Sequence, residues 1–200
     1  LNPVVYERAR KSLTFLDSCI DPVTGKTPNY GANDGALFFK LTDDDYRVYT
    51  SQLNDLRAVL SNTSTREEES IHWYGIESYN VKKSHLNGIF SYKVGGYYIA
   101  QEDNTKTFVR CGSYKDRPTQ SDNLHLDIWV GGVNYLFDTG SFKYNTDKQL
   151  INYFNGTGGH NTVSVSENDQ MLKGGRFIWY YWIKNADGNI FQTEKDIIFE

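Results

Sequence analysis

Two histidines and one aspartate in the middle of the chain have side chains that could hold a metal ion together. They are His125, Asp138 and His160. Two imidazoles and one carboxylate suit a divalent ion of the zinc type. Their wide separations along the chain match no short metal-binding motif. The alternative for each histidine is therefore an ordinary polar contact at a strand edge.

The residues around His125 alternate as a β-strand does. Even positions of the range 124–130 are Leu, Leu, Ile and Val, and the odd positions are polar or Trp, which predicts a strand. Gly131-Gly132 predicts a hairpin turn, and residues 134–138 (NYLFD) the return strand. We expect His125 to face a polar cleft and Leu124 and Leu126 to face the core. A strand over Thr162 to Val165 is expected directly after His160.

Several segments in this region resemble those of a known family. SDNLHLDIW, FDTGSFKY and YFNGTGGHNTV are similar to hallmark segments of the heparinase II/III-like polysaccharide lyases. PNYGANDGA, residues Pro28 to Ala36, resembles a segment at the end of that family's helical toroid. The resemblance covers Pro28 to Val165 in ordered patches.

The resemblance implies a fold of class α+β, in which the end of an (α/α) helical toroid precedes a large antiparallel β-sandwich. Residues 1–62 would be the last toroid helices, and residues 71–200 part of the sandwich. It also implies a structural zinc site, whose ligands would be His125, Asp138 and His160. The loop over Asp21 to Gly35, which is rich in Gly, Pro and Asn, would line a sugar cleft, although such loops usually just turn the chain. Its substrate-binding candidates are Asn29, Tyr30, Asn33 and Asp34.

By resemblance, the activity is cleavage of an acidic, uronate-containing polysaccharide by β-elimination. Tyr144 is the candidate proton donor, with Tyr153 as the nearest substitute. Asn123 stands where several family lyases have a catalytic histidine; asparagine cannot act as a base, but it can hydrogen-bond a carboxylate. Two other functions stay open. One is a catalytically silent carbohydrate-binding or polysaccharide-assembly protein, and the other is a glycoside hydrolase on an (α/α) toroid. The arginines that could pair with an acidic sugar are Arg110, Arg117 and Arg176.

Composition excludes several classes of protein. The chain has 200 residues and a net charge of −4, which argues against nucleic acid as a partner. No apolar run approaches the roughly 20 residues of a membrane span. The 15 tyrosines and four tryptophans suit either a carbohydrate cleft or a β-rich core. Cys19 and Cys111 are expected to be buried free thiols.

The remaining elements divide the chain into a helical part and a β-rich part. Pro3 to Leu16 is predicted as a helix with an apolar stripe. A second helix is predicted from Asp43 to Leu60, with Thr42 and Asp45 in a pattern like a capping box. Ser61 to Ser70 is a polar linker and the candidate domain boundary. Eight short β-rich segments are predicted to follow, separated by turns: Gly88 to Val94, Gly96 to Gln101, Thr107 to Tyr114, Leu124 to Val130, Val133 to Phe137, Thr162 to Val165, Phe177 to Ile183, and Ile190 to Phe199.

The chain starts without Met and stops in a strand-like IIFE. We therefore expect it to be a piece of a longer protein, which needs the rest of its own chain upstream to complete an active site. The full-length protein would be periplasmic or secreted if it carries a signal peptide.

Overall fold

The computed structural model describes residues 2–32, 40–83, 86–175 and 177–200. Contacts divide the chain into two compact units. The first unit comprises Leu1–Thr27 and Gly35–Leu86, and the second comprises Pro28–Asp34 and Asn87–Glu200. The predicted domain bounds, 1–62 and 71–200, stay a prediction.

The first unit is built on two helices. Helix α1 runs over Pro3–Cys19, three residues beyond the predicted end, and its N-terminus is capped by Asn2, whose side chain accepts the Val4 N–H. Proline is tolerated at this position because the first N–H groups of a helix have no partner within the helix. Helix α2 runs over Thr50–Ser61. Arg57 of α2 forms an ion pair with Asp17 of α1.

The predicted start of the second helix, at Asp43, is wrong. Residues 47–49 pair with residues 25–27 through an antiparallel bridge between Lys26 and Val48: the Thr27 N–H donates to the Arg47 carbonyl at 2.9 Å, and the Tyr49 N–H donates to the Gly25 carbonyl at 3.1 Å. These backbone hydrogen bonds hold residues 47–49 outside the helix, so tertiary pairing overrides local helix preference. Thr42 does not cap the helix, since its hydroxyl donates to Asp44.

The segment that follows α2 belongs to the first unit. Strands β1 (Thr63–Ser64) and β2 (Asn80–Val81) pair in parallel, and a 3-10 helix covers Glu69–Tyr74. The buried Glu68 carboxylate accepts hydrogen bonds from Asn54 at 2.9 Å and from Arg66 at 2.6 Å. The polar residues of this stretch therefore pack against α2.

An antiparallel sheet of five strands, in sequential order, forms the centre of the second unit. Its strands are β3 (Gly88–Tyr92), β4 (Tyr97–Glu102), β5 (Thr105–Arg110), β6 (His125–Val130) and β7 (Val133–Asn134). The predicted hairpin is confirmed: Gly131 and Gly132 have φ of 59° and 83°, as a type I′ turn requires. Strand β7 is shorter than predicted.

The two faces of this sheet reverse the expected burial. His125, Asp127 and Trp129 lie on one face and are 0–3% exposed. Leu126 of the opposite face is only half-buried, although it packs against a cluster around Val109. Leu124 lies outside β6 and is 42% exposed, with a left-handed φ of 63°. The expectation that Leu124 and Leu126 face the core while His125 faces a polar cleft is therefore wrong about burial: His125 has polar neighbours, but its face of the sheet is the more deeply buried one.

Short elements complete the second unit. They are helix α3 (Lys148–Asn155), a 3-10 turn (Thr157–Gly159), and strands β8 (Leu172–Lys173), β9 (Trp179–Tyr180), β10 (Ile190–Gln192) and β11 (Ile197–Phe199). Strands β8 and β9 form one hairpin, and β10 and β11 form another. The segment predicted at 177–183 thus contains only the short strand β9, and the single strand predicted at 190–199 is instead the hairpin of β10 and β11.

No regular strand forms over residues 162–165, contrary to the prediction. Side chains take the place of a neighbouring strand there. The Thr162 hydroxyl donates to the Asn123 carbonyl, and Gln170 Nε2 donates to the Val163 carbonyl at 3.2 Å. The segment still joins the sheet at one point, since the Leu126 N–H donates to the Asn161 carbonyl at 2.9 Å.

Two further predictions concern the cysteines and the membrane. Cys19 and Cys111 are both buried thiols outside any disulfide, which confirms the prediction. Burial raises the pKa of the Cys111 thiol, which lowers its reactivity. Among the helices of the described ranges, none combines the length and the apolar character that a bilayer span requires.

Candidate functional site

Three segments of the second unit bring His125, Asp138 and His160 together. His125 opens strand β6, Asp138 follows strand β7, and His160 directly follows the 3-10 turn. We call these three residues the His–Asp–His cluster. All three side chains are fully buried.

One carboxylate oxygen lies between the two imidazoles. Asp138 Oδ2 accepts a hydrogen bond from His160 Nδ1 at 2.8 Å, and it lies 3.2 Å from His125 Nδ1. The other oxygen, Oδ1, accepts the Gly140 N–H at 2.6 Å. Asp138 therefore connects both histidines to the loop that follows it.

The two imidazoles differ in their affinity for a proton. Burial lowers the pKa of His125, and the charge of Asp138 only partly opposes this. Burial also disfavours protonation of His160, but the hydrogen bond and charge of Asp138 outweigh it, so the pKa of His160 is raised. The carboxylate thus favours a proton on His160, whereas burial favours the neutral ring of His125, the form that can bind a metal ion.

The cluster has the donor chemistry of a zinc site. Both ring nitrogens of His125 and Nε2 of His160 are buried without a hydrogen-bond partner. In the described part of the chain, however, no group of three or more His, Cys, Asp or Glu side chains is placed so that it could hold a metal ion.

The loop after Asp138 is held by Asn29 and Gly31. Asn29 is buried, and its Nδ2 donates to the Asp138 carbonyl at 3.2 Å. Gly140 has φ of +69°, and a Cβ there would lie 2.4 Å from the Asn29 amide nitrogen, so only glycine fits. The Ser141 hydroxyl donates to the Gly31 carbonyl at 3.0 Å. The predicted substrate contact of Asn29 stays a prediction, and Asn33 and Asp34 lie outside the described residues.

Tyr30 packs beside the cluster. Its ring centre lies 5.3 Å from that of His125 and 5.6 Å from that of Phe108. Burial raises its pKa well above the usual range, and the charge of Asp122 adds to this. The predicted role of Tyr30 in substrate binding stays a prediction.

A buried arginine and its aromatic neighbours lie next to Tyr30. The Arg110 guanidinium carbon lies 5.3 Å from the ring centre of Tyr97 and 5.4 Å from that of Tyr114. The Tyr114 hydroxyl donates to Asp122 at 2.7 Å, and burial followed by the charge of Asp122 raises the Tyr114 pKa. The sequence analysis missed Tyr114 and Asp122. The signal in the sequence was the position of Asp122 beside Asn123, in a segment that carries the family resemblance.

Asn123 is buried and already bonded within the unit. Its Oδ1 accepts the Gly112 N–H at 3.0 Å. The Gln170 side-chain amide makes two hydrogen bonds to the Asn123 backbone: it accepts the Asn123 N–H at 2.9 Å and donates to the Asn123 carbonyl at 2.8 Å. A catalytic role for Asn123 stays a prediction.

Tyr144 lies in a cleft of about 250 Å³. Its side chain is 62% exposed, and its ring stacks on Phe177 with ring centres 6.2 Å apart. We call this the cationic cleft. It is lined by Ala32, Arg117, Pro118, Thr119, Ser141, Lys143, Tyr144, Ile151, Asn155 and Phe177. Tyr153 is 51% exposed and packs edge-on against Phe154, and Arg176 lies outside the described residues.

Comparison with known proteins identifies the family. The profile "Heparinase II/III-like, C-terminal" matches residues 85–199, and the chain belongs to this family. No curated protein matches the chain.

Solved structures share the fold. "Crystal Structure of Heparinase III" aligns with a TM-score of 0.59 at 15% identity, covering 96% of this chain and 30% of that one. "Crystal structure of heparan sulfate lyase HepC from Pedobacter heparinus" aligns with a TM-score of 0.56 at 17% identity, covering 92% of this chain and 25% of that one. At these identities the likeness establishes the fold alone. The predicted α+β class, with the end of the helical toroid followed by an antiparallel β-sandwich, is confirmed, and the chain spans about a quarter to a third of these two structures.

Removing the Asp138 carboxylate should destabilise the protein strongly. Asp138→Ala leaves His160 Nδ1 and the Gly140 N–H buried without an acceptor. Breaking a buried charged pair in this way typically costs about 3–5 kcal/mol. Asp138→Asn keeps the shape and should cost about 1–3 kcal/mol. Urea denaturation gives both values.

The control is Asp147→Asn. Asp147 is the exposed residue before α3, and its side chain makes no capping hydrogen bond, so its loss of charge should change the free energy of unfolding by less than about 0.5 kcal/mol. An Asp138→Ala protein as stable as this control would show that the carboxylate does not hold the cluster.

Proposed function

We propose that the full-length protein is a lyase that cleaves an acidic, uronate-containing polysaccharide by β-elimination. Family membership supports this proposal, and so do the names of the aligned structures, a heparinase and a heparan sulfate lyase. The observation that carries it is the position of Tyr144. Its exposed phenol lies in a cleft with two cationic side chains, six residues after an aspartate anchored in a buried cluster.

The reaction requires three groups. One neutralises the uronate carboxylate, so that the hydrogen on the adjacent ring carbon becomes acidic. A base removes that proton. The electron pair of the broken carbon–hydrogen bond then forms a carbon–carbon double bond, while the bond to the glycosidic oxygen breaks. An acid then gives a proton to the leaving oxygen.

In this proposal, Tyr144 is the acid. A neutral phenol can give its proton directly to the leaving oxygen, and the exposed loop lets the ring reach a bound chain. Asn123 would bind the uronate carboxylate. A carboxylate needs hydrogen-bond donors, which Asn123 has only in its amide hydrogens; its Oδ1 accepts from Gly112. The remaining groups would come from the rest of the protein upstream.

We also propose that the His–Asp–His cluster holds a divalent metal ion, zinc, in a structural role. The buried, unpartnered ring nitrogens and the neutral His125 support this proposal. A bound ion would fix the start of the loop that carries Tyr144. Elemental analysis should find about one zinc per chain in the purified protein and much less in a His160→Gln variant. Protein free of metal with unchanged stability would contradict the proposal.

A catalytically silent carbohydrate-binding protein with the same fold is the second candidate. One observation favours it: Asn123, at the position where the resemblance leads us to expect a catalytic histidine, is buried and uses its side-chain oxygen to bind the backbone. In that case the cleft would bind sugar without cleaving it.

A substrate panel separates the candidates. The full-length protein is incubated with heparan-like, alginate-like and capsular uronate polysaccharides. A lyase produces unsaturated uronate, which absorbs in the ultraviolet, together with new reducing ends. A hydrolase produces reducing ends without that absorbance, and a silent binding protein produces neither.

Tyr144→Phe should slow cleavage sharply without weakening the fold. The substitution removes only the hydroxyl, and one general acid typically contributes about 10²–10⁴-fold in rate. We expect kcat to fall in that range while KM changes little. The control is Tyr135→Phe, since Tyr135 is 67% exposed and does not line the cationic cleft. Near-normal turnover of Tyr144→Phe would exclude the assignment and direct attention to Tyr153.

A further inference from the structure

We propose that the cationic cleft is a specificity subsite for one anionic sugar unit, in which Arg117 and Lys143 bind a carboxylate or sulfate group and Phe177 packs against the sugar ring. The proposal rests on the proposed function, because it takes a polysaccharide as the ligand. It adds the residues that would select the charge of that ligand.

The charges of the cleft are the first observation. Arg117 and Lys143 both line it, in a chain whose net charge is −4. Neither side chain forms an ion pair with an acidic residue of the described ranges. Each lies instead near an aromatic ring, with Arg117 5.4 Å from the ring centre of Phe177 and Lys143 5.6 Å from that of Phe142. Two cations without anionic partners can take an anionic ligand without breaking an internal ion pair.

The aromatic side of the cleft is the second observation. Tyr144 and Phe177 stack at a ring separation of 6.2 Å, yet they are 62% and 45% exposed. Exposed flat rings supply a large contact area with little loss of side-chain entropy. One apolar face of a sugar ring could lie on Phe177 while a charged substituent reaches the neighbouring Arg117.

The loop that forms the cleft is held in an unfavourable backbone conformation. Phe142, beside Lys143, has φ of 57°, which is uncommon for a bulky residue. Its ring stacks on Phe154 of α3 at 5.0 Å with an interplanar angle of 13°. Gln120 Nε2 lies within 3.4 Å of both the Gly140 and the Phe154 carbonyls. Conformations of this kind persist only where surrounding contacts enforce them, and they concentrate at functional sites.

The size of the cleft limits what it can hold. Its volume of about 250 Å³ lies just below the roughly 300–1,000 Å³ of pockets that enclose a drug-sized ligand. One sugar unit with its charged substituent fits that scale, and the rest of a polysaccharide would continue outside.

The test is the affinity of the full-length protein for defined polysaccharides, measured by isothermal titration calorimetry. The double variant Arg117→Gln/Lys143→Gln removes both cations of the cleft. The matched control Lys93→Gln/Lys184→Gln removes two exposed charges that do not line it. Affinity for an anionic chain should fall about tenfold or more in the cleft variant, since each lost charge-assisted hydrogen bond is worth about that factor. It should change by less than about twofold in the control.

Two probes distinguish the source of the anion. An unsulfated glucuronate polymer presents only carboxylates, and carboxyl-reduced heparin presents only sulfates. A loss confined to the first assigns the subsite to a uronate carboxylate, and a loss confined to the second assigns it to a sulfate ester. Equal weakening of both chains by the control and the cleft variant would overturn the proposal, because only net charge would then matter.

The aromatic contact has its own variants. Phe177→Ala should weaken binding of the preferred chain, whereas Phe177→Tyr should preserve it, because a flat ring is retained. If Phe177→Ala binds as well as the unmodified protein, the stacking contact is excluded. These readouts measure binding, so they hold even if the protein cleaves none of the chains, and failure of the lyase proposal stays distinguishable from failure of the subsite.

Discussion

A buried carboxylate between two buried imidazoles is the constraint on which the second unit depends. Asp138 is 0% exposed, and a charge in that position is costly unless other groups compensate it. His160 and the Gly140 N–H donate to it, and His125 lies 3.2 Å away. Strand β6, the loop after β7 and the turn before His160 must therefore converge for the carboxylate to be satisfied. Three segments far apart in sequence are fixed by one side chain.

The same carboxylate sets the start of the loop that carries the proposed chemistry. The Asn29 side-chain amide donates to the Asp138 carbonyl. Only glycine fits at position 140, because a Cβ there would collide with that amide. Beyond Gly140, the loop is held by the stacking of Phe142 on α3 before it presents Tyr144 to the cleft. A polar interior thus supports an exposed, cationic and aromatic surface, which suits the proposed binding of a flexible, charged chain against fixed groups.

The sequence predicted the parts of this arrangement that depend on local pattern. The Gly131-Gly132 hairpin and the succession of short antiparallel strands follow from turn residues and alternation. Alternation separates the two faces of β6 but does not say which is covered, and here Tyr30, far away in sequence, packs beside His125. The strand expected after His160 fails because Gln170 bonds backbone atoms there. Such contacts link distant residues, so a local pattern cannot contain them.

Amide hydrogen exchange of the loop tests most directly whether the buried cluster positions the proposed site. The full-length protein and its His160→Gln variant are compared by mass spectrometry, with His72→Gln, an exposed histidine of the first unit, as the control. If Asp138 anchors the loop, peptides covering residues 138–144 should exchange about tenfold faster in His160→Gln, while strands β4 and β5 keep their protection. Unchanged exchange of those peptides in His160→Gln would contradict the account, since the loop would then be held without the cluster.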